Sequence, residues 1–297
     1  MITTRIAPCE GWEQCLWISN GIAEVAATLD AGIRLVFYGF PGKENMLRVL
    51  EERERPESGE QVGGFRLQTS TKKETGLPAG PVQWEIRGDG VRLSGQPEEN
   101  GLQKTLTVTF TPGSSEVTLT HGLALSADAP EDLDALTGWS VVMMEEGGLA
   151  VLPQAREEGA EDGPNRTIAL WPGANLADPR ILWGMDHILV QQANMRYFRM
   201  GISCEAGWAA YFNMGNLFVL RFAGQEAQEA GARYADRGCC LEVATGEQNT
   251  ELITLTPRMS LKKGESVTFS ESWTLYGDIP CPPMDEHTVV ETLAGIL

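Results

Sequence analysis

The sequence predicts an all-β fold, a large β-sandwich with few short helices. Apolar and polar residues alternate with a period of two through most of the chain, which is typical of strands with one buried face. Turn-forming residues are frequent, with 33 Gly and 16 Pro among 297 residues. A chain of this length fits one large all-β domain, so we expect residues 1–297 to form a single domain.

Several segments carry the alternating pattern most clearly. Residues 82–93, 106–125 and 207–222 each read as two strands joined by a turn, and residues 266–275 read as one further strand. The predicted turns are Gly88-Asp89, Pro112-Gly113 and Met214-Gly215. Each segment therefore predicts a strand or a hairpin with one apolar face.

Helical periodicity is restricted to two places. Residues 285–297 have Asp285 as a candidate N-cap, and their apolar side chains recur at helical spacing at Val289, Val290, Leu293 and Ile296. Residues 130–136 favour a single helical turn. The C-terminal segment is therefore the main predicted helix.

Composition excludes several functions. The formal charge of -18 disfavours nucleic acids and anionic lipid surfaces as partners. No stretch approaches the roughly 20 apolar residues of a membrane span, and the first residues lack the apolar core of a signal peptide. We therefore expect a cytoplasmic protein with no membrane partner.

The sequence contains no recognisable cofactor or metal motif. The six cysteines include no C-x-x-C pair, so they are expected to be thiols and not zinc ligands. P-loop, G-x-G-x-x-G and G-x-S-x-G motifs are absent. We expect neither a metal nor a cofactor.

Three ionisable residues interrupt apolar stripes. His121 falls between Leu119 and Leu123, Glu271 precedes Trp273 on one face, and Glu251 leads an apolar strand. A buried charge is costly unless it is paired or hydrogen-bonded, so each residue is either a satisfied structural group or part of a site. The structural interpretation is favoured for His121 and Glu271, whereas Glu251 fits both.

Four stretches together resemble the galactose mutarotase-like (aldose 1-epimerase) superfamily. They occur in the same order as the family's motifs: "QVGGFRLQ" from Gln61, "LTGWS" from Leu136, "WGMDHILV" from Trp183 and the closing segment from Thr250 to Gly277. "LWPGANLADPR" resembles a further marker of an uncharacterised branch. The resemblance implies a large twisted β-supersandwich with a sugar cleft on its concave face.

The resemblance also implies roles for individual residues. In this family a glutamate removes the proton from the anomeric hydroxyl while a histidine protonates the ring oxygen, so that the sugar ring opens and recloses. Glu251 matches the glutamate base, Asp186 the aspartate that binds a hydroxyl, and Arg66 an arginine near the sugar. Val62 and Trp139 occupy the positions of the two family histidines, so the standard epimerase mechanism is in doubt.

Other residues supplement this candidate site. His121 or His187 is an alternative proton donor, although His187 is expected to point away from its neighbour Asp186 and to have a structural or rim role. Trp139 and Trp171 lie near the matched motifs, where they suit the apolar face of a sugar or, alternatively, the core. Arg180 is expected either to pair with Asp178 or to reach the cleft.

The sequence leaves three hypotheses of function. The first is a carbohydrate-binding protein on an aldose 1-epimerase-like scaffold, with Glu251, Asp186, Arg66, Trp139, Trp171, Arg180 and His121 as site residues. The second is a sugar isomerase or epimerase with Glu251 as general base and an unconventional acid. The third is an interaction module with a vestigial cleft. The first two imply a small carbohydrate or sugar-derived ligand.

Overall fold

A computed structural model describes residues 1–50, 63–70, 80–155, 165–224 and 233–297. Its contacts divide the chain into two compact units. Unit 1 comprises Met1–Met143 and Arg258–Thr274, and unit 2 comprises Met144–Pro257 and Leu275–Leu297. Both units consist of antiparallel strands, which confirms the predicted all-β class. The assignment of residues 1–297 to one domain stays a prediction.

The part of unit 1 that the structure describes contains three groups of paired strands. One group has the order β1-β2-β3-β4-β5-β11, the second has the order β22-β9-β8-β7-β6, and β10 pairs with β21. The strand bounds are β1 Thr3–Cys9, β2 Trp12–Ser19, β3 Glu24–Thr28, β4 Leu35–Gly39, β5 Phe65–Thr69, β6 Gln83–Arg87, β7 Gly90–Ser94, β8 Leu102–Phe110, β9 Val117–Leu125, β10 Leu133–Leu136, β11 Gly138–Met144, β21 Met259–Leu261 and β22 Ser266–Tyr276.

Among its described residues, unit 2 contains two groups of paired strands and one helix. The strand orders are β20-β19-β16-β13 and β14-β15-β12-β17-β18. The bounds are β12 Leu149–Pro153, β13 Ile168–Leu170, β14 Ile181–Trp183, β15 His187–Gln191, β16 Phe198–Ile202, β17 Trp208–Asn213, β18 Asn216–Phe222, β19 Leu241–Thr245, β20 Thr250–Leu255 and α1 Glu286–Leu293.

The predicted hairpins are confirmed. Strands β6 and β7 pair around Gly88-Asp89, β8 pairs with β9, and β17 pairs with β18 around Met214-Gly215. The prediction of a helical turn over residues 130–136 is wrong, because Leu133–Leu136 forms β10 and pairs with β21. Leu133 and Leu136 are both buried there, so tertiary packing overrides the weak local helical preference.

The core of unit 1 contains His121 between aromatic rings. Its imidazole stacks on Phe269 at 4.9 Å between ring centroids and lies 5.6 Å from the ring of Phe65. Its residue exposure is 1%, and burial lowers the pKa of His121 to about 3. The imidazole is therefore neutral at pH 7, in agreement with the structural interpretation that the sequence favours.

Glu271 is hydrogen-bonded to side chains of unit 1. Ser140 Oγ donates to its Oε2 at 2.7 Å, and Trp273 Nε1 donates to its Oε1 at 3.2 Å. The structural role predicted for Glu271 therefore has a hydroxyl and an indole among its partners.

The C-terminal helix α1 is attached to a loop of unit 2 through one carboxylate. Asp285 caps the helix by accepting from the backbone N–H of Thr288, as predicted. Glu286 accepts hydrogen bonds from the backbone N–H groups of Met185, Asp186 and His187 at 2.8–2.9 Å. Partial burial opposes its charge, but these donors hold the pKa of the Glu286 carboxyl below its usual range.

An apolar stripe completes the attachment of α1. Val289 and Leu293 pack on residues of β12, β15, β17 and β18. Gly184 makes room for the Glu286 carboxylate, because a Cβ at that position would lie 2.3 Å from its atoms.

Within the described residues, no helix is both long and apolar enough to cross a membrane.

We predict that Glu286→Gln destabilises the protein by about 1–3 kcal/mol, because it removes the charge that strengthens three hydrogen bonds. Urea denaturation at pH 7 measures this change in the free energy of unfolding. Glu291→Gln, on the exposed side of the same helix, is the control and should change stability little. Equal effects of the two substitutions would contradict the role of Glu286.

We predict that the buried His121 makes the protein less stable in acid. The unfolded chain binds a proton at His121 near pH 6.5, whereas the folded protein does so only near pH 3. Stability from this residue is therefore complete above pH 6.5 and falls as the pH is lowered towards 3. Between pH 7 and pH 5 the expected loss is about 2 kcal/mol.

Urea denaturation at both pH values tests this expectation. His121→Gln should lack this component of the pH dependence, whereas His287→Gln, at an exposed position, should retain it. An unaltered pH dependence in His121→Gln would show that the buried imidazole does not titrate in this way.

Candidate functional site

On the strands β16 and β19 of unit 2, buried apolar side chains on one face alternate with polar or small side chains on the other. On β16, Phe198, Met200 and Ile202 are all buried, with Arg199 and Gly201 between them on the opposite face. On β19, Leu241 and Val243 alternate with Glu242 in the same way. Because neighbouring residues on a strand face opposite sides, the register determines which polar side chains meet.

Glu251 and Arg199 lie in one cross-strand row. Arg199 is the register partner of Ala244, and Ala244 is the register partner of Glu251. Directly opposed residues point to the same face of a sheet, so the Arg199 and Glu251 side chains share a face, with the small Ala244 between them. The strand spacing places their Cα atoms about 10 Å apart.

Trp171 extends this row beyond Arg199. Its backbone N–H donates to the Arg199 carbonyl at 3.2 Å, directly after β13. The Arg199 guanidinium carbon lies 4.6 Å from the centroid of the indole ring, a cation–π contact. We call Trp171, Arg199, Ala244 and Glu251 the polar row.

Glu242 binds Arg199 from the same face of β19. Arg199 Nε donates to Glu242 Oε2 at 2.9 Å, and Arg199 Nη2 is also bonded to this oxygen. The Glu242 side chain is fully buried, whereas that of Arg199 is 24% exposed. Gly201 faces Glu242 across the strands, and a Cβ there would lie 3.0 Å from Glu242 Cγ. The glycine therefore provides space for the buried carboxyl.

Charge and burial oppose each other in this pair. Burial raises the pKa of Glu242 to about 8, the neighbouring carboxyl of Asp236 adds to this effect, and Arg199 opposes it. For Arg199, burial opposes the charge, but Glu242, Tyr197 and Asp236 outweigh it and raise the pKa of the guanidinium. Arg199 is therefore a permanent cation beside more than one carboxyl group.

Tyr197 lies at the exposed end of this cluster. Its residue exposure is 55%, and its hydroxyl interacts with Arg199. Partial burial and the negative charge of Glu251 raise the pKa of Tyr197, so its phenol keeps its proton at neutral pH. Tyr197 is thus a hydrogen-bond donor without charge at neutral pH.

The polar row contains two of the residues that the sequence predicted as site residues, Glu251 and Trp171. Arg180 lies elsewhere in unit 2, where its Nε and Nη2 donate to the carboxylate of Asp178 at 2.9 and 2.8 Å. This pair lowers the pKa of Asp178. Arg180 is only 3% exposed and also donates to the Arg196 carbonyl, so binding of a substrate would require this pair to open.

Asp186 lies outside the polar row. It is exposed in the loop between β14 and β15, and its backbone N–H is bound by Glu286. His187 stands 3.7 Å from Glu286 and packs on Trp208, which supports the predicted structural or rim role. The sugar-binding role of Asp186 stays a prediction.

Arg66 and Trp139 lie in unit 1 on the paired strands β5 and β11. Trp139 is opposite Gln68, and Arg66 is opposite Val141, so both side chains lie on one face. Ser140, which bonds Glu271, lies on the other face. Val62, predicted to replace a family histidine, falls outside the described residues.

Sequence reasoning missed Arg199, Tyr197, Glu242 and Asp236. Tyr197 to Met200 does alternate polar and apolar residues, and Glu242 does interrupt an apolar run, as Glu251 does. Only the strand register shows that Arg199 and Glu242 meet. Within the described part of the chain, no group of three or more His, Cys, Asp or Glu side chains is arranged to hold a metal ion.

The chain resembles known proteins in its three-dimensional structure. No protein-family model matches the sequence, and no curated protein matches it. A candidate aldose 1-epimerase from Klebsiella pneumoniae superposes with a TM-score of 0.59 at 13% identity, over 99% of this chain and 86% of that one. A galactose mutarotase-like protein from Clostridium acetobutylicum gives a TM-score of 0.53 at 11% identity, over 93% and 98%.

A third similar structure belongs to a longer protein. It is a TPR-domain containing protein from Parabacteroides distasonis, with a TM-score of 0.59 and 11% identity over 93% of this chain. The chain spans 48% of the length of that protein. At these identities the likeness concerns the fold, and it confirms the resemblance drawn from the motifs: the chain has the galactose mutarotase-like fold.

Proposed function

We propose that the protein binds a small carbohydrate at the polar row of unit 2. The observation that carries this proposal is the register that aligns Trp171, Arg199 and Glu251 on one face of the sheet. An indole suits the apolar C–H face of a sugar ring, while a carboxylate and a tyrosine suit its hydroxyl groups. The galactose mutarotase-like fold supports a sugar-related ligand by analogy only.

The other predicted residues have different standing in this proposal. Asp186, Arg66 and Trp139 keep sugar-binding roles that rest on the family resemblance. Arg180 is already bound to Asp178. The His121 ring packs in the aromatic core of unit 1. The proposal therefore depends first on Glu251.

A second candidate function is a sugar epimerase with Glu251 as base. The observation that favours it is Tyr197, whose pKa is raised by partial burial and by the negative charge of Glu251, so that its phenol keeps its proton at neutral pH. In this reaction Glu251 removes the proton of the anomeric hydroxyl as the ring C–O bond breaks. Tyr197 donates its proton to the released ring oxygen, and reversal after rotation of the aldehyde gives the other anomer.

We predict that Glu251→Gln weakens sugar binding at least about tenfold, because a hydrogen bond to a charged group contributes roughly 1.5–3 kcal/mol. Calorimetry with D-galactose and D-glucose measures affinity, and thermal melting measures stability. Glu271→Gln is the matched control, since each glutamate is 5% exposed. The control should lower the melting temperature without altering affinity.

Two results would count against this role of Glu251. Unchanged affinity in Glu251→Gln would remove it from the sugar site. A sharp drop in melting temperature with unchanged affinity would make it a structural ion-pair partner. Failure of the unmodified protein to bind any monosaccharide would favour the interaction module.

We predict that galactose and glucose mutarotation is accelerated only weakly, because a phenol with a raised pKa is a poor general acid at neutral pH. Polarimetry measures the rate. Any acceleration should be lost in Tyr197→Phe while sugar affinity falls much less. Acceleration that survives Tyr197→Phe would exclude this phenol as the acid.

A further inference from the structure

Arg199 is a cation in the candidate sugar site, and by itself it would favour anionic ligands. Guanidinium groups bind carboxylates and phosphates through paired hydrogen bonds. A sugar acid or a sugar phosphate would therefore be attracted to an unpaired arginine in the polar row. Whether Arg199 can act in this way depends on what already binds it.

Glu242 already binds one edge of the Arg199 guanidinium group. Its Oε2 accepts from Nε and from Nη2, and the carboxyl has no exposure to solvent. The Arg199 side chain is held on its other side by the indole of Trp171. Arg199 is thus fixed in place and its charge is directed towards a group of the protein itself.

The surrounding charges also disfavour an anion. Asp236 lies within hydrogen-bonding reach of Glu242, and Glu251 lies two strands from Arg199 in the same row. Carboxyl groups therefore outnumber the guanidinium in this cluster. The whole chain adds to this effect with a formal charge of -18.

We propose that Glu242 determines the charge selectivity of the site: by binding Arg199 it makes the site reject sugar acids and sugar phosphates and accept uncharged sugars. This inference rests on the proposed sugar binding at the polar row. It assigns Glu242 a positioning and specificity role without contact to the ligand, because the residue is fully buried.

We expect the selectivity between charged and uncharged sugars to depend on pH, because the charge of the Glu242 carboxyl depends on pH. Burial raises the pKa of Glu242 to about 8, so its carboxyl is mainly ionised at pH 9 and mainly protonated at pH 6.5. Arg199 stays charged, Cys239 and Tyr197 stay protonated, and Asp236 and Glu251 are the other carboxyls nearby. Discrimination against anions should therefore be stronger at pH 9.

The test compares sugars that differ only in charge. Calorimetry at pH 9 and pH 6.5 gives dissociation constants for D-galactose and D-galacturonate, and for D-glucose and D-glucuronate. Both uronates are ionised at both pH values. We expect the unmodified protein to bind the neutral sugar at least about tenfold more tightly at pH 9, with a smaller ratio at pH 6.5.

Glu242→Gln should lower the ratio at pH 9 about tenfold and make it independent of pH, since Arg199 is then available to the uronate. Glu247→Gln, an exposed glutamate in the turn between β19 and β20, changes the net charge equally and should leave the ratio unaltered. If Glu242→Gln does not fold, the ratio of the two affinities that the unmodified protein shows at pH 9 decides the question alone.

The outcomes separate the two proposals. Sugar binding with a ratio near one, or with a ratio unchanged by Glu242→Gln, would overturn the selectivity role and leave the proposed function standing. Absence of binding to all four sugars would refute the proposed function and this inference with it.

Discussion

The register of strand pairing is the constraint on which the candidate site depends. On β16 and β19 the residues that flank Arg199 and Glu242 are buried apolar side chains. A slip of one residue would exchange the two faces and move the apolar side chains out of the core, so the free energy of burying the apolar face also holds the polar face in place. The site therefore gains its precision from side chains that never contact a ligand.

The buried ion pair between Arg199 and Glu242 requires good hydrogen-bond geometry. Removing a carboxylate from water costs several kcal/mol, and the attraction to a cation offsets that cost only when the geometry is good. Here Arg199 uses two nitrogens, and Gly201 leaves space for the carboxyl. Such a pair contributes weakly to stability but fixes the position of a charge, which suits a role in selectivity.

The sequence predicted much of the fold because the information lies in short segments. The hairpin turn at Met214-Gly215 needs left-handed backbone at both residues, and both adopt it. The segment 130–136 was misread because its local pattern is weak and its pairing with β21 is distant in sequence. Strand pairing across a long separation leaves no local signal.

The candidate site was predictable only in part for the same reason. Glu251 was found as a carboxylate leading an apolar strand, and Trp171 was found near a marker motif. Arg199 and Glu242 are separated by 43 residues and become a pair only through the register of β16 and β19. For Arg180 the sequence predicts either a pair with Asp178 or a place in the cleft, and the structure shows the pair. The two residues are near neighbours in the chain, so the sequence alone can suggest this contact.

A crystal structure of the protein soaked with D-galactose or D-glucose would locate the bound sugar. We expect a sugar whose hydroxyl groups hydrogen-bond to Glu251 and whose ring lies against Trp171, with the Arg199–Glu242 pair intact beside it. A sugar bound away from these side chains, with the polar row unoccupied, would contradict this expectation.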